Sequence, residues 1–387
     1  MAYRWAASSN TSTEEPWYMP CKADAASVEW VDSDADLASA VAAWGNRLGL
    51  DTEFQRTDTF FPRPGLYQVS CGEDVWLLDP LTITDFSPLL ETLEDRRVTT
   101  IMHACSEDLE LLRHHFGAVP VGLFDTQLAN AFVTPHYSVS FTRLVADQLG
   151  VELVQHETRS DWLARPLTPE QIRYAREDVY FLPPLHDVLS EALEAAGRAS
   201  WFREEMDLRG RFQPADPDEY YLGMARAWKL PGPVRARLQA LAAWRERQAM
   251  AEDRPRNRIV RDEHLLHLAQ QDDVDAEAVR EALPRGVARR YQADLVAAWS
   301  EGDAAAAHPP AAHAPLGGAA NAVVRRLRDI ARTRAEALGM APELLARKRE
   351  VEACVRHYLA TRELSEAYQG WRAPLVGDAF RAELATL

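Results

Sequence analysis

Residues 48–54 read LGLDTEF, an apolar lead-in that ends in Asp51 and Glu53. Side chains two apart on a strand project from one face, so these carboxylates stand together. Held close they repel, and one must take up a proton unless a cation neutralises the pair. Hard oxygen donors of this kind suit Mg²⁺ or Mn²⁺. A lone DxE is more often two solvent-facing acids, so its company matters. In TTIMHACSEDLELL (99–112) a strand leads through His103 to Ser106, which reads as an N-cap, with Glu107 and Asp108 in the first helical turn. The helix dipole favours acids there whatever their role, and His103 reads as a satisfied core histidine. In FDTQLA (124–129), Asp125 reads as an N-cap rather than a catalytic acid. In LTPEQIRYAREDVY (167–180), Thr168 and Gln171 have the form of a capping box and Pro169 suits the first helical position. Tyr174 and Asp178, at i and i+4, then share one face of that helix.

The elements that must position these groups are legible along 27–198. Apolar or β-branched runs occur at LGLDTEF, LYQVS, DVWLLD, TTIMHA and GLFD, and helix-period runs follow at SEDLELLRHHFG, TQLANAFV, SFTRLVADQLG and TPEQIRYAREDVYFL. The short CGED spacer predicts an antiparallel hairpin between the second and third runs. The later runs alternate with helices, which predicts parallel pairing and a mixed sheet with helices packed on it. Past residue 198 the strand signals stop. QPADPDEYY (213–221) reads as a joint, and an all-helical segment continues to about 300. EGDAAAAHPPAAHAPLGGAA (301–320) reads as an Ala/Pro/Gly linker before a second helical segment over 321–387.

Composition narrows the function classes. The 387 residues are 47% hydrophobic, enough for two or three ordinary cores. No stretch approaches the ~18 consecutive apolar residues of a membrane helix, and MAYRWAASSNTSTEEPWYMPCK has no apolar segment of a secretory signal. Residues 1–26 read as a disordered tail. Cys21, Cys71, Cys105 and Cys354 are scattered, which fits a reducing cytoplasm rather than a disulfide framework or zinc knuckle. His264 and His267 lack further ligand-type neighbours and are not expected to bind metal. A net charge of −16 argues against nucleic-acid binding by the chain as a whole. Arg226–Asp262, however, holds ten Lys/Arg against four Asp/Glu, a basic patch in an acidic protein.

The order strand DxE, strand–turn–helix Asp, helix YxxxD resembles the tyrosine-containing subclass of the DEDD 3′→5′ exonucleases and, more narrowly, the ribonuclease D family. DTEFQRT (51–57), FFPRPGLYQ (60–68), IMHACSEDLE (101–110), FDTQLA, RSDWLARPLT (159–168) and YAREDVYFLPP (174–184) carry the resemblance in order. LQALAAWRERQAMAEDRPRNRIVRDEHLLHLA (238–269) is similar to the HRDC (helicase and RNase D C-terminal) domain, and the segment after 320 looks like a diverged second copy. The organisation expected is a tail over 1–26, an exonuclease domain over 27–198, a linker over 199–217, an HRDC domain over 218–300, a linker over 301–320 and a second HRDC-like domain over 321–387.

The resemblance implies an α/β ribonuclease H-like exonuclease domain, a mixed sheet flanked by helices, followed by two all-α HRDC-like domains. It implies that Asp51, Glu53, Asp108 and Asp178 hold two divalent ions, Mg²⁺ or Mn²⁺, and that Tyr174 is the fifth active-site residue. A tyrosine with an ordinary pKa near 10 is a poor base at neutral pH, so orienting the attacking water is its expected role. Phe54 is expected to pack in the core, with stacking on a terminal base as the family's alternative. Gln68 and Arg165 are candidates for contact with sugar or phosphate, or for structural hydrogen bonding. Arg235, Arg237, Arg245, Arg247, Arg254, Arg256 and Arg258 are expected to meet phosphates without reading bases. The implied partner is RNA, above all the 3′ ends of tRNA precursors, trimmed to 5′-mononucleotides by a monomer with no membrane and no nucleotide cofactor.

Other readings compete. A DNA-directed exonuclease would share the acid set and differ in contacts to the 2′-hydroxyl. A helicase would need a GxxxxGK[ST] phosphate loop, which the sequence lacks. A glycosidase pairs carboxylates but does not need five positions in this order. A non-catalytic RNA binder would have no use for the acids and the tyrosine.

Overall fold

The strand-forming runs assemble into a six-stranded mixed sheet: β1 (Val28–Val31), β2 (Arg47–Gln55), β3 (Arg63–Cys71), β4 (Asp74–Leu78), β5 (Thr99–Met102) and β6 (Leu123–Asp125), in the order β1-β4-β3-β2-β5-β6. The computed structural model describes residues 27–153, 160–209 and 215–387, so the expected tail over 1–26, Cys21 and Arg159 lie outside the described residues. Strand β3 runs antiparallel to both neighbours, and every other neighbouring pair is parallel. The predicted hairpin joins β3 to β4, with Gly72 at φ 64° supplying the left-handed residue of its two-residue turn. Strand β1 was not expected.

Helices follow in chain order. The sheet region holds α1 (Asp34–Ala43), α2 (Ser87–Glu94), α3 (Ser106–Phe116), α4 (Thr126–Val133), α5 (Phe141–Leu149), α6 (Pro169–Tyr180), α7 (Leu182–Ala195) and α8 (Ala199–Arg209). Period two along β3 sets which lie on which face. Tyr67 turns toward α3, its hydroxyl 2.5 Å from Nδ1 of His115, while Ser70 turns the other way and donates to the Val179 carbonyl of α6 at 2.6 Å. The DxE face of β2 is the α6 face. The Thr168–Gln171 capping box opens α6 as expected. Ser106 is corrected from N-cap to the first residue of α3, because Cys105 occupies the cap position and offers no side-chain bond.

The middle module comprises a short 3₁₀ stretch (Pro217–Gly223), α9 (Gly232–Ala251), α10 (Arg256–Ile259), α11 (Asp262–Ala269), α12 (Ala276–Ala282) and α13 (Arg285–Asp303) around a core of its own. The C-terminal segment holds α14 (Gly318–Leu338), α15 (Glu343–Ala346), α16 (Lys348–Thr361) and α17 (Asp378–Leu384). Its buried side chains are continuous with those of the sheet region. Two linker expectations need correction. Residues 199–209 form α8, whose Phe202 and Met206 are buried in the core of the sheet region. The 301–320 segment is also docked: Pro310 accepts from the Tyr221 hydroxyl at 2.7 Å, and Ala312 is buried in the middle module.

Candidate active site

Strand β2 is central, and its pairing with β5 is confined to Arg47–Gly49. Beyond that point β2 carries Asp51 and Glu53 on the face that α6 covers. Side-chain oxygens of Asp51, Glu53 and Asp178 all lie within 4.8 Å of one another. Helix α6 can come this close because the position two before Asp51 is Gly49. A Cβ there would stand 2.9 Å from the Val179 carbonyl oxygen and 2.3 Å from Ser70 Oγ. Asp108 lies beside this trio rather than in it. Its carboxylate accepts a 2.5 Å hydrogen bond from Thr52 Oγ1, and its charge raises the pKa of both Asp51 and Glu53.

The electrostatics are those of a site suited to a cation. Burial drives Asp51 well above the usual carboxylate range, helped by the charges of Asp108, Asp178 and Glu53. Burial, then Asp178 and Asp108, raises Glu53 to about 9. Asp178 is raised to about 7, burial outweighing the hydrogen bond from the Tyr174 hydroxyl. Asp108 is raised to about 6, burial outweighing the Thr52 bond. Each residue of the trio keeps some accessible surface although its carboxyl group is surrounded by protein. Converging, hard, mutually repelling oxygens fit a divalent ion such as Mg²⁺ or Mn²⁺. Tyr174 is pushed far above its ordinary pKa by burial and then by Asp178, so its hydroxyl stays protonated at neutral pH.

Several supporting residues lie outside the motif spacing. Thr52 is one. Trp162 is another: it is buried, its ring centroid lies 6.0 Å from that of Tyr174, and it packs where a Cβ on Gly65 would stand 2.7 Å from its own Cβ. Arg165 ties this segment to the sheet, donating to both Asp79 oxygens at 2.7 Å and to the Gly65 carbonyl at 2.6 Å. These bonds match the structural hydrogen bonding that was one of the two roles expected of Arg165. Gln68 pairs with Asp51 across the strands but is fully buried, so it cannot touch RNA; its amide has no hydrogen-bond partner among the described residues. The register shifts between Glu53 and Phe54, so strict alternation fails there, and Phe54 packs half-buried against the core. Asp125 caps α4 through the amides of Gln127 and Leu128 and also pairs with Arg209 at 3.0 Å. His103 is bonded to Thr126 and to the Val139 carbonyl.

Most of the arginines expected to hold phosphate are bonded to groups of the protein itself. Arg245 is fully buried, bonded to Asp262 at 2.5 Å and packed on Tyr220. Arg256 pairs with Glu246 at 2.9 Å. Arg235 donates to the carbonyls of Leu230 and Pro309, and Arg237 to Asp303 and the Gln271 carbonyl. A small helical module uses long guanidinium arms to satisfy carbonyls and acids that its core cannot. Arg254 bonds Glu252, whereas Arg247, paired with Asp218, and Arg258 are exposed. The middle module is clasped to the catalytic region just past β2. Asp253 accepts the amides of Phe60 and Phe61 at 3.0 Å each, and Phe61 stacks on His114 of α3 with ring centroids 3.6 Å apart.

Comparison with known proteins agrees with this geometry. The 3′-5′ exonuclease family model matches residues 28–194, and the HRDC domain model matches residues 234–298. The chain is 39% identical over 366 residues to ribonuclease D of Pseudomonas paraeruginosa, covering 91% of this chain and 96% of that protein. It is 36% identical over 351 residues to ribonuclease D of Musicola paradisiaca, covering 88% and 93%. The crystal structure of Escherichia coli RNase D, described as an exoribonuclease involved in structured RNA processing, superposes with a TM-score of 0.84 at 33% identity, covering 93% of this chain and 99% of that one.

Proposed function

The chain belongs to the ribonuclease D family and is a 3′→5′ exoribonuclease, and from that premise we propose that it trims the 3′ ends of tRNA precursors and other small structured RNAs. It removes one nucleotide at a time and releases 5′-mononucleotides, acting as a cytoplasmic monomer. The observation that carries this reading is the convergence of Asp51, Glu53 and Asp178 oxygens within 4.8 Å, with the Tyr174 hydroxyl bonded to Asp178.

Asp51, Glu53, Asp178 and the adjacent Asp108 would hold two divalent ions, Mg²⁺ or Mn²⁺. Such ions, when bound, lower the proton affinity of water and offset charge on the phosphoryl oxygens. Tyr174 keeps its proton on Oη and orients the attacking water by hydrogen bonding. Thr52 aims the Asp108 carboxylate, and Trp162 backs the Tyr174 ring. Phe54, half-buried at the strand end, packs against the core and stacks on the terminal base with the edge it leaves accessible. Residues 321–387 are read as a second, diverged HRDC-like module.

The test uses a 5′-labelled tRNA precursor with a short 3′ extension, in Mg²⁺ or EDTA, with a matched RNA blocked at its 3′ end. A ladder shortening by single nucleotides is expected in Mg²⁺ alone, absent with the blocked end and lost in Asp51→Asn. Shortening of single-stranded DNA but not RNA would redirect the reading to a DNA exonuclease. Shortening that persists in EDTA would remove the metal site from it.

A further inference from the structure

Five of the six α9 and α10 arginines, all but Arg258, are bonded to carboxylates or carbonyls of the protein itself, so the middle module's uncommitted basic surface lies mainly elsewhere. Arg280 at the end of α12 and Arg285, Arg289 and Arg290 on α13 line one surface cavity of about 630 Å³, with no carboxylate among its described lining residues. Arg285 and Arg289 stand at i and i+4 on one face of α13, and all four arginines are exposed. Gln292 continues that face and accepts from Arg280 at 3.3 Å, drawing α12 and α13 together over the cavity. Arg285 and Arg289 make no ion pair among the described residues. Gathering like charges in a concavity is unfavourable unless an anion fills it, and this happens in a chain of net charge −16.

The cavity is also tied to the catalytic region. Arg290 and the Tyr291 hydroxyl are both held by Glu252, at 2.8 and 2.9 Å. The next residue, Asp253, is the one that accepts the Phe60 and Phe61 amides, and Phe61 stacks on the helix that carries Asp108. The basic concavity is therefore linked, through Glu252 and Asp253, to the contact by which the module docks on the sheet region.

We propose that Arg280, Arg285 and Arg289, with Arg290 anchored at their edge, form a phosphate-binding site for the backbone of the RNA body whose 3′ end enters the acid cluster. This rests on the exoribonuclease reading. Guanidinium groups pair with phosphate oxygens without reading sequence, so the site grips a structured RNA while the end is shortened. A very short oligonucleotide that fills only the acid cluster does not reach it.

The test compares the full-length protein with R280A/R285A/R289A, leaving Arg290 to hold Glu252. In EDTA, a fluorescent hairpin RNA with a single-stranded 3′ tail is titrated by anisotropy across about 50–200 mM KCl. The variant is expected to bind the hairpin at least about tenfold more weakly, with the slope of log K against log salt reduced by roughly 2–3. Its kcat/KM in Mg²⁺ on a pentanucleotide stays at the wild-type value. R280K/R285K/R289K keeps the charge and is expected to keep the salt slope; loss of the slope there too would mark a packing role and overturn the proposal. So would hairpin binding by the alanine variant equal to wild type, or weakening by R247A/R258A instead. Loss of polyaspartate binding with hairpin binding intact would assign the surface to an acidic protein and likewise overturn it. If the wild type trims no RNA, the exoribonuclease reading falls first. If it trims normally and the triple variant matches it, only the phosphate site falls.

Discussion

Thr52 lies between the two acids of the DxE pair and, by strand alternation, faces away from them, yet it sets the charge state of a third acid. Its hydroxyl donates 2.5 Å to Asp108, opposing the burial that raises this carboxyl to about 6. Thr52→Val keeps the shape and removes the donor. Asp108 then holds its proton more tightly, so the ionised form is reached only at higher pH. A hydrogen bond to a charged group corresponds to roughly one to two pH units. In the metal-free protein the Asp108 carboxyl should therefore titrate higher by about that much, which its carboxyl 13C chemical shift followed against pH would show; an unmoved titration would mean that the Thr52 bond does not stabilise the charged form. The acids and Tyr174 were readable through the order of their motifs, which resembles a known family, since each taken singly reads as a solvent-facing acid, a helix-turn acid or a core tyrosine. Thr52 and Trp162 were not, because a threonine in a strand and a tryptophan in a loop are ordinary until their partners, 56 and 12 residues away, are in place.

At the scale of elements, the distance between β2 and α6 decides whether Asp178 meets Asp51, and Gly49 sets it. A methyl group there meets Ser70 Oγ at 2.3 Å, the Val179 carbonyl at 2.9 Å and Leu182 Cβ at 3.0 Å. Gly49→Ala should cost about 1–3 kcal/mol by overpacking. By moving Asp178 it should lower kcat about 10²-fold, the scale for a misplacement near 1 Å. Adding Ser70→Ala removes the nearest contact but not the Val179 carbonyl, so the double variant should recover only part of the loss. Urea denaturation with single-turnover kinetics separates the two effects; a stability loss with unchanged kcat would show that helix position is set elsewhere. The sequence made β2 to β6, the hairpin and the α6 capping box legible through apolar runs, turn chemistry and cap residues. It did not reveal β1, whose VEWV is short and mostly exposed, running to a single buried residue at Val31. Nor did it reveal the bulge after Glu53, which depends on cross-strand register rather than on local residue type.

At the scale of the molecule, two helical segments that look alike in sequence are built into the protein differently. The middle module has its own core and meets the catalytic region through polar and aromatic contacts around Phe60 and Asp253. The C-terminal segment shares the catalytic core. Trp371 packs on Phe132 and Trp201 with ring centroids 5.1 and 5.6 Å apart, Arg372 pairs with Glu205 at 2.8 Å, and the Ala341 amide donates to the Ala131 carbonyl at 2.8 Å. Helical periodicity and an Ala/Pro/Gly linker suggest an independent unit, because neither can reveal a partner some 240 residues earlier. Shared burial implies shared stability: the sheet region and 318–387 should unfold together, and the middle module should be able to unfold apart from them. Trp371→Ala removes a large side chain from that common core and should cost about 3–5 kcal/mol. Hydrogen exchange should show the loss in β2, β5 and α4 as well as in α14 and α16, while α9 and α13 keep their protection. If the loss is confined to 318–387, the C-terminal segment is a separate folding unit and its contacts with α4 and α8 are only a docking surface. If it spreads through the sheet, the acid cluster depends for its rigidity on a helical segment that contributes no ligand to it.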